Sequence, residues 1–127
     1  SLAAVYGDFA MTGLTTTPDF LVKNAGTAQK VANALQQALN TIHTDRDRAL
    51  AILSKRFPEI DRSVAKAALD RVIADNIIPL TLNISDGAWD KAIQLRLEVG
   101  DVKDPKPITT YVDNTFAKAA AETYPPK

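Results

Sequence analysis

Residues 9–44, FAMTGLTTTPDFLVKNAGTAQKVANALQQALNTIHT, set three signals in a fixed order. Phe9, Met11 and Leu14 to Thr16 alternate as a short strand does, with Gly13 interrupting the run. Thr17-Pro18-Asp19 then supplies an N-cap hydroxyl, a proline at the first helical position and an acidic first turn, which together predict a helix start. That first helix is expected to be short and to end near Asn24. Gly26 allows a turn, and Thr27 is expected to cap a second, long helix. In it Val31, Leu35, Ala38, Leu39 and Ile42 recur at three- and four-residue spacing.

Working outward, Val5-Tyr6 before Gly7 reads as a further strand-like pair. Downstream, Thr44 or Asp45 caps a segment in which Ala49, Ile52, Leu53 and Phe57 form one face until Pro58 stops it. Asp61 opens a helix with Val64, Ala68, Leu69, Val72 and Ile73 on a stripe, and Asn76 is the expected exit. Ile77 to Leu82 is apolar and β-branched but broken by Pro79, which makes it an extended connector or an edge strand. Ser85 caps a helix carrying Trp89, Ala92, Ile93, Leu95 and Leu97, closed by Gly100 where a left-handed residue is needed. A charged, proline-containing loop, Asp101 to Pro107, leads to a last helix from about Tyr111 or Asp113 to Ala121 and a frayed Tyr-Pro-Pro-Lys end. The expected fold is mainly α, five or six helices with one to three short strands. It is read as a single domain over 1–127, with a strand region at 1–16 and a helical region at 17–123.

Composition narrows the function classes. At 127 residues the chain suits one domain with its own core. Its 15 basic and 15 acidic residues cancel, so no basic field draws nucleic-acid phosphates, and no nucleic-acid partner is expected. Hydrophobic content of 46% with only 6% aromatics and abundant alanine suits close-packed helices. Cysteine is absent, which excludes disulfides, thiol nucleophiles and thiolate metal sites. No apolar run approaches the roughly 20 residues of a membrane span, so the chain reads as soluble. The N-terminus, Ser1 without a methionine, has neither the basic n-region nor the apolar h-region of a signal peptide, as fits a processed or excised chain.

Sites with chemistry are scarce. His43 is the single histidine, so no histidine-pair metal site is available, and its place at a helix end reads as dipole complementation. The acidic residues Asp45, Asp47, Glu59, Asp61, Asp70 and Asp75 are spread over helix ends and faces without the spacing of a calcium loop. They read as caps and solvated charges. Gly7 and Gly13 match no phosphate-binding spacing and read as points of backbone freedom. Trp89 lies on an apolar helical stripe and reads as a core anchor. No catalytic residue, metal or cofactor is expected from these residues. Tyr6 and Phe9 stand outside any helical stripe, in the strand region, and are the aromatics best placed for a binding role.

Several of these motifs resemble the C-terminal part of nitrate/sulfonate/taurine-type ABC transporter substrate-binding proteins. The resemblance rests on Thr17, Asp19-Phe20-Leu21, Lys23-Asn24, Val31 and Ala34-Leu35 with Ala38. It continues with Trp89, Ala92, Ile93, Gly100, Val102 and Lys103, then with Pro105, Pro107 and Asp113-Asn114-Thr115-Phe116 before Ala119-Ala120-Ala121. Ala25-Gly26 departs from the proline that commonly follows the asparagine. The resemblance implies a two-lobed α/β periplasmic binding protein of type II, of which this chain is the last part, with most of lobe one's sheet and all of lobe two upstream. It implies a periplasmic or lipid-anchored, non-enzymatic protein that captures a small organic or inorganic anion and delivers it to an ABC permease in the membrane. Tyr6, Asp8 and Phe9 are then the expected contribution to the cleft. Two other readings go with it: a stand-alone helical interaction or sensor module built on the same scaffold, and part of a thiamine-pyrimidine synthase-like enzyme, whose lysine and histidine motifs His43 does not match. A chain lacking its sheet is expected to expose an apolar face, and a homodimer of the fragment follows as a possibility.

Overall fold

The computed structural model describes Gly7 and residues 9–127. Five α-helices follow one another: α1 (Pro18–Thr44), α2 (Arg46–Arg56), α3 (Arg62–Ala74), α4 (Asp86–Glu98) and α5 (Thr115–Thr123), with a 3-10 turn at Ile108–Thr110. The mainly α expectation therefore holds, and the described residues contain no strand. The strand-like run from Phe9 to Thr16 is irregular chain, because an alternating pattern becomes a strand only when a neighbouring strand takes its backbone groups. The expected pair Val5-Tyr6 lies outside the described residues. Ile77 to Leu82 is a connector.

Each helix end has a local cause. The Thr17 hydroxyl accepts from the Phe20 amide at 3.2 Å, with Pro18 in the first turn beside it. Asp45 serves twice: its amide donates to the Thr41 carbonyl to close α1, while its carboxylate accepts from the Arg48 amide at 3.0 Å to open α2. Asp61 and Ser85 cap α3 and α4 through bonds to the amides of Ser63 and Ala88. Asn76 (φ 52°) and Gly100 (φ 80°) end α3 and α4 in the left-handed region. In both, the next amide reaches back a full turn, from Ile77 to the Val72 carbonyl and from Asp101 to the Arg96 carbonyl, each at 2.9 Å.

The break anticipated in the first helix is a kink and not a gap. Asn24 alone leaves helical geometry (φ −134°, ψ 31°), and the helix resumes through Gly26 and Thr27, so Thr27 does not sit outside as a cap. At the other end, α5 begins at Thr115, later than expected. Asn114 occupies the N-cap position without capping, because its amide is committed to the backbone of Ile84: it accepts from the Ile84 amide at 3.0 Å and donates to the Ile84 carbonyl at 2.9 Å. Asp113 takes over by accepting from the Thr115 amide at 2.8 Å.

Helix α1 is the spine. It packs against α5 and α2, α2 packs against α3, and α4 leans on the 3-10 turn. The buried apolar residues are Ala32, Ala49, Leu50, Ala65, Leu69, Ala88 and Ala120, with Ile42, Leu53 and Ile73 packed on the central four. Alanine at the contacts lets helix axes approach closely, and of the expected stripes Ile42, Ala49, Leu53, Leu69 and Ile73 meet in the core while other members stay outside it. On α1 the buried pair is Ala32 and Gln36, while Val31 and Leu35 are 39% and 40% exposed. On α2 Ala49 and Leu50 face inward and Ile52 is 58% exposed; on α3 Ala65 and Leu69 face inward and Val64 is 58% exposed. One β-branched residue of each stripe, Val31, Ile52 or Val64, points to solvent, while Ile42 and Ile73 pack on the core.

Amides replace apolar contacts along the inner face of α1. Gln29 donates to the Phe116 carbonyl at 3.1 Å, fully buried Gln36 to the Leu80 carbonyl at 2.9 Å, and Asn40 to the carbonyls of Tyr124 and Pro125 at 3.3 and 3.0 Å. These bonds tie α5, the connector after α3 and the C-terminal segment to one helix. The end of the chain is held as far as Pro125 instead of frayed, because Asn40 reaches it.

Candidate functional site

Of the three residues expected at a binding cleft, Tyr6 and Asp8 lie outside the described residues. Phe9 is half-buried. Its neighbours locate the segment: the Ala10 amide donates to the Ala88 carbonyl at 3.2 Å, and a side-chain carbon on Gly7 (φ 63°) would stand 3.5 Å from Lys91 Nζ. The segment thus crosses the first half of α4. Ser85 starts that helix, and the Asn114 clamp on Ile84 fixes the residues just before it. Further along, Trp89 stacks on Tyr111 with ring centroids 5.7 Å apart at 29°. Tyr111 is exposed and Trp89 half-buried, so the indole anchors the 3-10 turn to α4 at the edge of the fold and not in its centre. Its Nε1 is buried and has no hydrogen-bond partner among the described residues.

Beyond Met11 the chain runs to Thr16 exposed, with Met11 63% and Leu14 75% accessible, and no amide of residues 11–16 donates a bond among the described residues. Backbone and apolar side chains are both open there.

Two concavities lie elsewhere. A polar cleft of about 360 Å³ sits between the C-terminal end of α1 and the chain's end, lined by Gln37, Asn40, Thr41 and Thr44 with Tyr124 and Lys127. The hydroxyls of Thr41 and Thr44 already donate to carbonyls of their own helix, so they present only acceptors to the cleft. A larger apolar groove of about 750 Å³ lies between α1, α2 and α3, with Arg48 and Arg56 at its margin. Phe9 belongs to neither. Sequence reading passed over both, since a groove made by three helices has no linear motif; the signal that was available is the pair of arginines eight residues apart on one edge of α2.

Several titratable groups are engaged in holding helices. Hydrogen bonds from Ser63 keep the Asp61 carboxyl below its usual range, those from Thr115 do the same for Asp113, and Lys66 with Arg46 does so for Asp70. Arg71 is raised by its bond to Asp75. His43 sits in the last turn of α1 with Nε2 3.3 Å from the Pro79 carbonyl, tying the connector to the helix. Among the described residues no group of three or more histidine, aspartate or glutamate side chains is placed to hold a metal, and no helix is long and apolar enough to cross a membrane. Around these concavities the described residues offer apolar surface and, in Arg48 and Arg56, cations without a carboxylate partner.

No known protein family, curated protein or solved structure matches the chain.

Proposed function

We propose that this chain is the helical, C-terminal part of a two-lobed solute-binding protein of an ABC importer, which takes up a small organic or inorganic anion and passes it to the permease. One observation carries the reading: α1 leaves the first part of its apolar stripe outward, with Val31 and Leu35 exposed beside fully buried Gln36 while Leu39 and Ile42 turn inward, and it continues from an open segment bearing Met11 and Leu14. A helix with that facing needs a cover. A chain that crosses from a sheet into the first helix of a lobe leaves this pair of surfaces when the sheet is elsewhere. The accessible surface agrees in size. It is 9073 Å² for a mass of 13.7 kDa, against roughly 6,600 Å² for a compact monomer of that mass.

In this reading Tyr6, Asp8 and Phe9 enter the cleft from the returning segment that α4 supports, and capture requires no covalent step. The protein would work in the periplasm, free or lipid-anchored. Equilibrium dialysis of the full-length gene product against taurine, longer alkyl sulfonates, nitrate and pyrimidines tests it. Saturable one-to-one binding of at least one of them is expected, and binding of none would reject the reading.

A second reading, a stand-alone helical interaction module, is favoured by the groove between α1, α2 and α3, which is complete within this chain. Tight, ligand-independent binding of a protein partner by the 127-residue chain would support it.

A further inference from the structure

The groove between α1, α2 and α3 differs from the outward stripe of α1 in being built entirely by residues present here. Ile42, Ile52, Leu53, Phe57, Val72 and Ile78 line it, and Ala34, Ala38 and Ala49 keep its floor low. Ile52 and Phe57 are exposed. Charge sets one margin. Arg48, Ile52 and Arg56 occur at four-residue steps and so lie along a single edge of α2, and both arginines border the groove.

The surrounding cations make the contrast. Arg46 and Lys66 both bind Asp70, at 3.1 and 2.7 Å, and Arg71 binds Asp75 at 2.7 Å. Arg48 and Arg56 have no carboxylate partner among the described residues. Arg48 and Arg56 thus border the groove without the ion pairs that hold Arg46, Lys66 and Arg71.

We infer that this groove is a docking site for an amphipathic, acidic helix of another protein, whose apolar stripe enters the groove and whose carboxylates meet Arg48 and Arg56. Spacing selects a helix over a small amphiphilic anion. Eight residues of α2 put the two arginines about 12 Å apart along its axis, and a second helix lying alongside presents acids at the same interval when they are seven or eight residues apart. A single head group satisfies one arginine and leaves the other unpaired. A second copy docked by a twofold axis on this edge is disfavoured, since antiparallel α2 helices would bring Arg48 of one against Arg56 of the other.

The test uses two labelled 18-residue helical peptides with one leucine stripe, one carrying glutamates at i and i+7 and the other lysines there, titrated into the 127-residue chain and followed by fluorescence anisotropy. The glutamate peptide should bind roughly tenfold more tightly, with the margin shrinking as salt is raised, because both pairs lie at the solvent-exposed rim. The double variant R48E/R56E, at exposed positions that leave the core intact, should reverse the preference. Equal affinity for both peptides, or a preference unchanged in the double variant, overturns the inference. So does self-association in light scattering that the glutamate peptide fails to displace.

Discussion

Gly26 and Gly100 respond to alanine in opposite directions. Gly26 lies inside α1 with nothing within 4 Å of where a side-chain carbon would stand, so alanine adds no clash and removes freedom only from the unfolded chain. Gly26→Ala should stabilise by about 0.5–1 kcal/mol, read as a higher urea midpoint at unchanged slope. Gly100 has equal room but sits at φ 80°, and Gly100→Ala should cost about 1 kcal/mol through backbone strain alone. Acid acts on single residues too. Asp61, Asp70 and Asp113 have carboxyls held below their usual range when folded, so the unfolded chain binds more protons between the folded and unfolded values. Their contribution is complete above the unfolded value, about pH 4, and is lost as pH falls through the folded values. Circular-dichroism melts should show Tm level from pH 5 to 7 and falling below pH 4; a Tm that rises on acidification would contradict this.

Between elements, Asn114 joins the start of α5 to the start of α4. Asn114→Ala leaves a half-buried amide and carbonyl of Ile84 unpaired and should destabilise by about 1–3 kcal/mol. Asn114→Asp keeps the acceptor for the Ile84 amide but turns a carboxylate oxygen toward the Ile84 carbonyl, so it should recover less than half of that loss in the same urea titration. This clamp was not legible in the sequence, where Asn114 falls inside the helix expected from about Tyr111 or Asp113. What was legible is what short-range chemistry settles: Thr17, Asp45, Asp61 and Ser85 as openings, Asn76 and Gly100 as exits. The facing of the helices was legible only in part. Periodicity picks out stripes of which Ile42, Ala49, Leu53, Leu69 and Ile73 do meet in the core, but Val31, Leu35, Ile52 and Val64 of the same stripes stay exposed, because the close alanine contacts that set each helix's rotation link residues far apart in the chain. The site divides the same way. Phe9 stands out in the sequence only as an aromatic outside any helical stripe, and it lines neither concavity, whereas the groove beside Arg48 and Arg56 exists only once three helices are assembled.

At the scale of the molecule, the proposed role as one part of a larger binding protein rests on a small alanine-rich core, an apolar patch at Val31 and Leu35 on α1 and an open segment at 11–16. Removing that apolar surface should therefore favour solubility without cost to the helices: Val31→Lys with Leu35→Lys should lower any self-association of the 127-residue chain seen by light scattering while leaving its helical circular dichroism unchanged. The same surface should be covered in the full-length gene product. Amide hydrogen exchange on both species, compared over residues 9–16 and α1, is the measurement that reaches the central claim most directly. Amides 11–16, which donate no bond here, should slow by at least about a hundredfold in the longer protein as they pair in a sheet, and α1 should gain protection along Val31 and Leu35. Equal exchange in the two species over both regions would contradict the account.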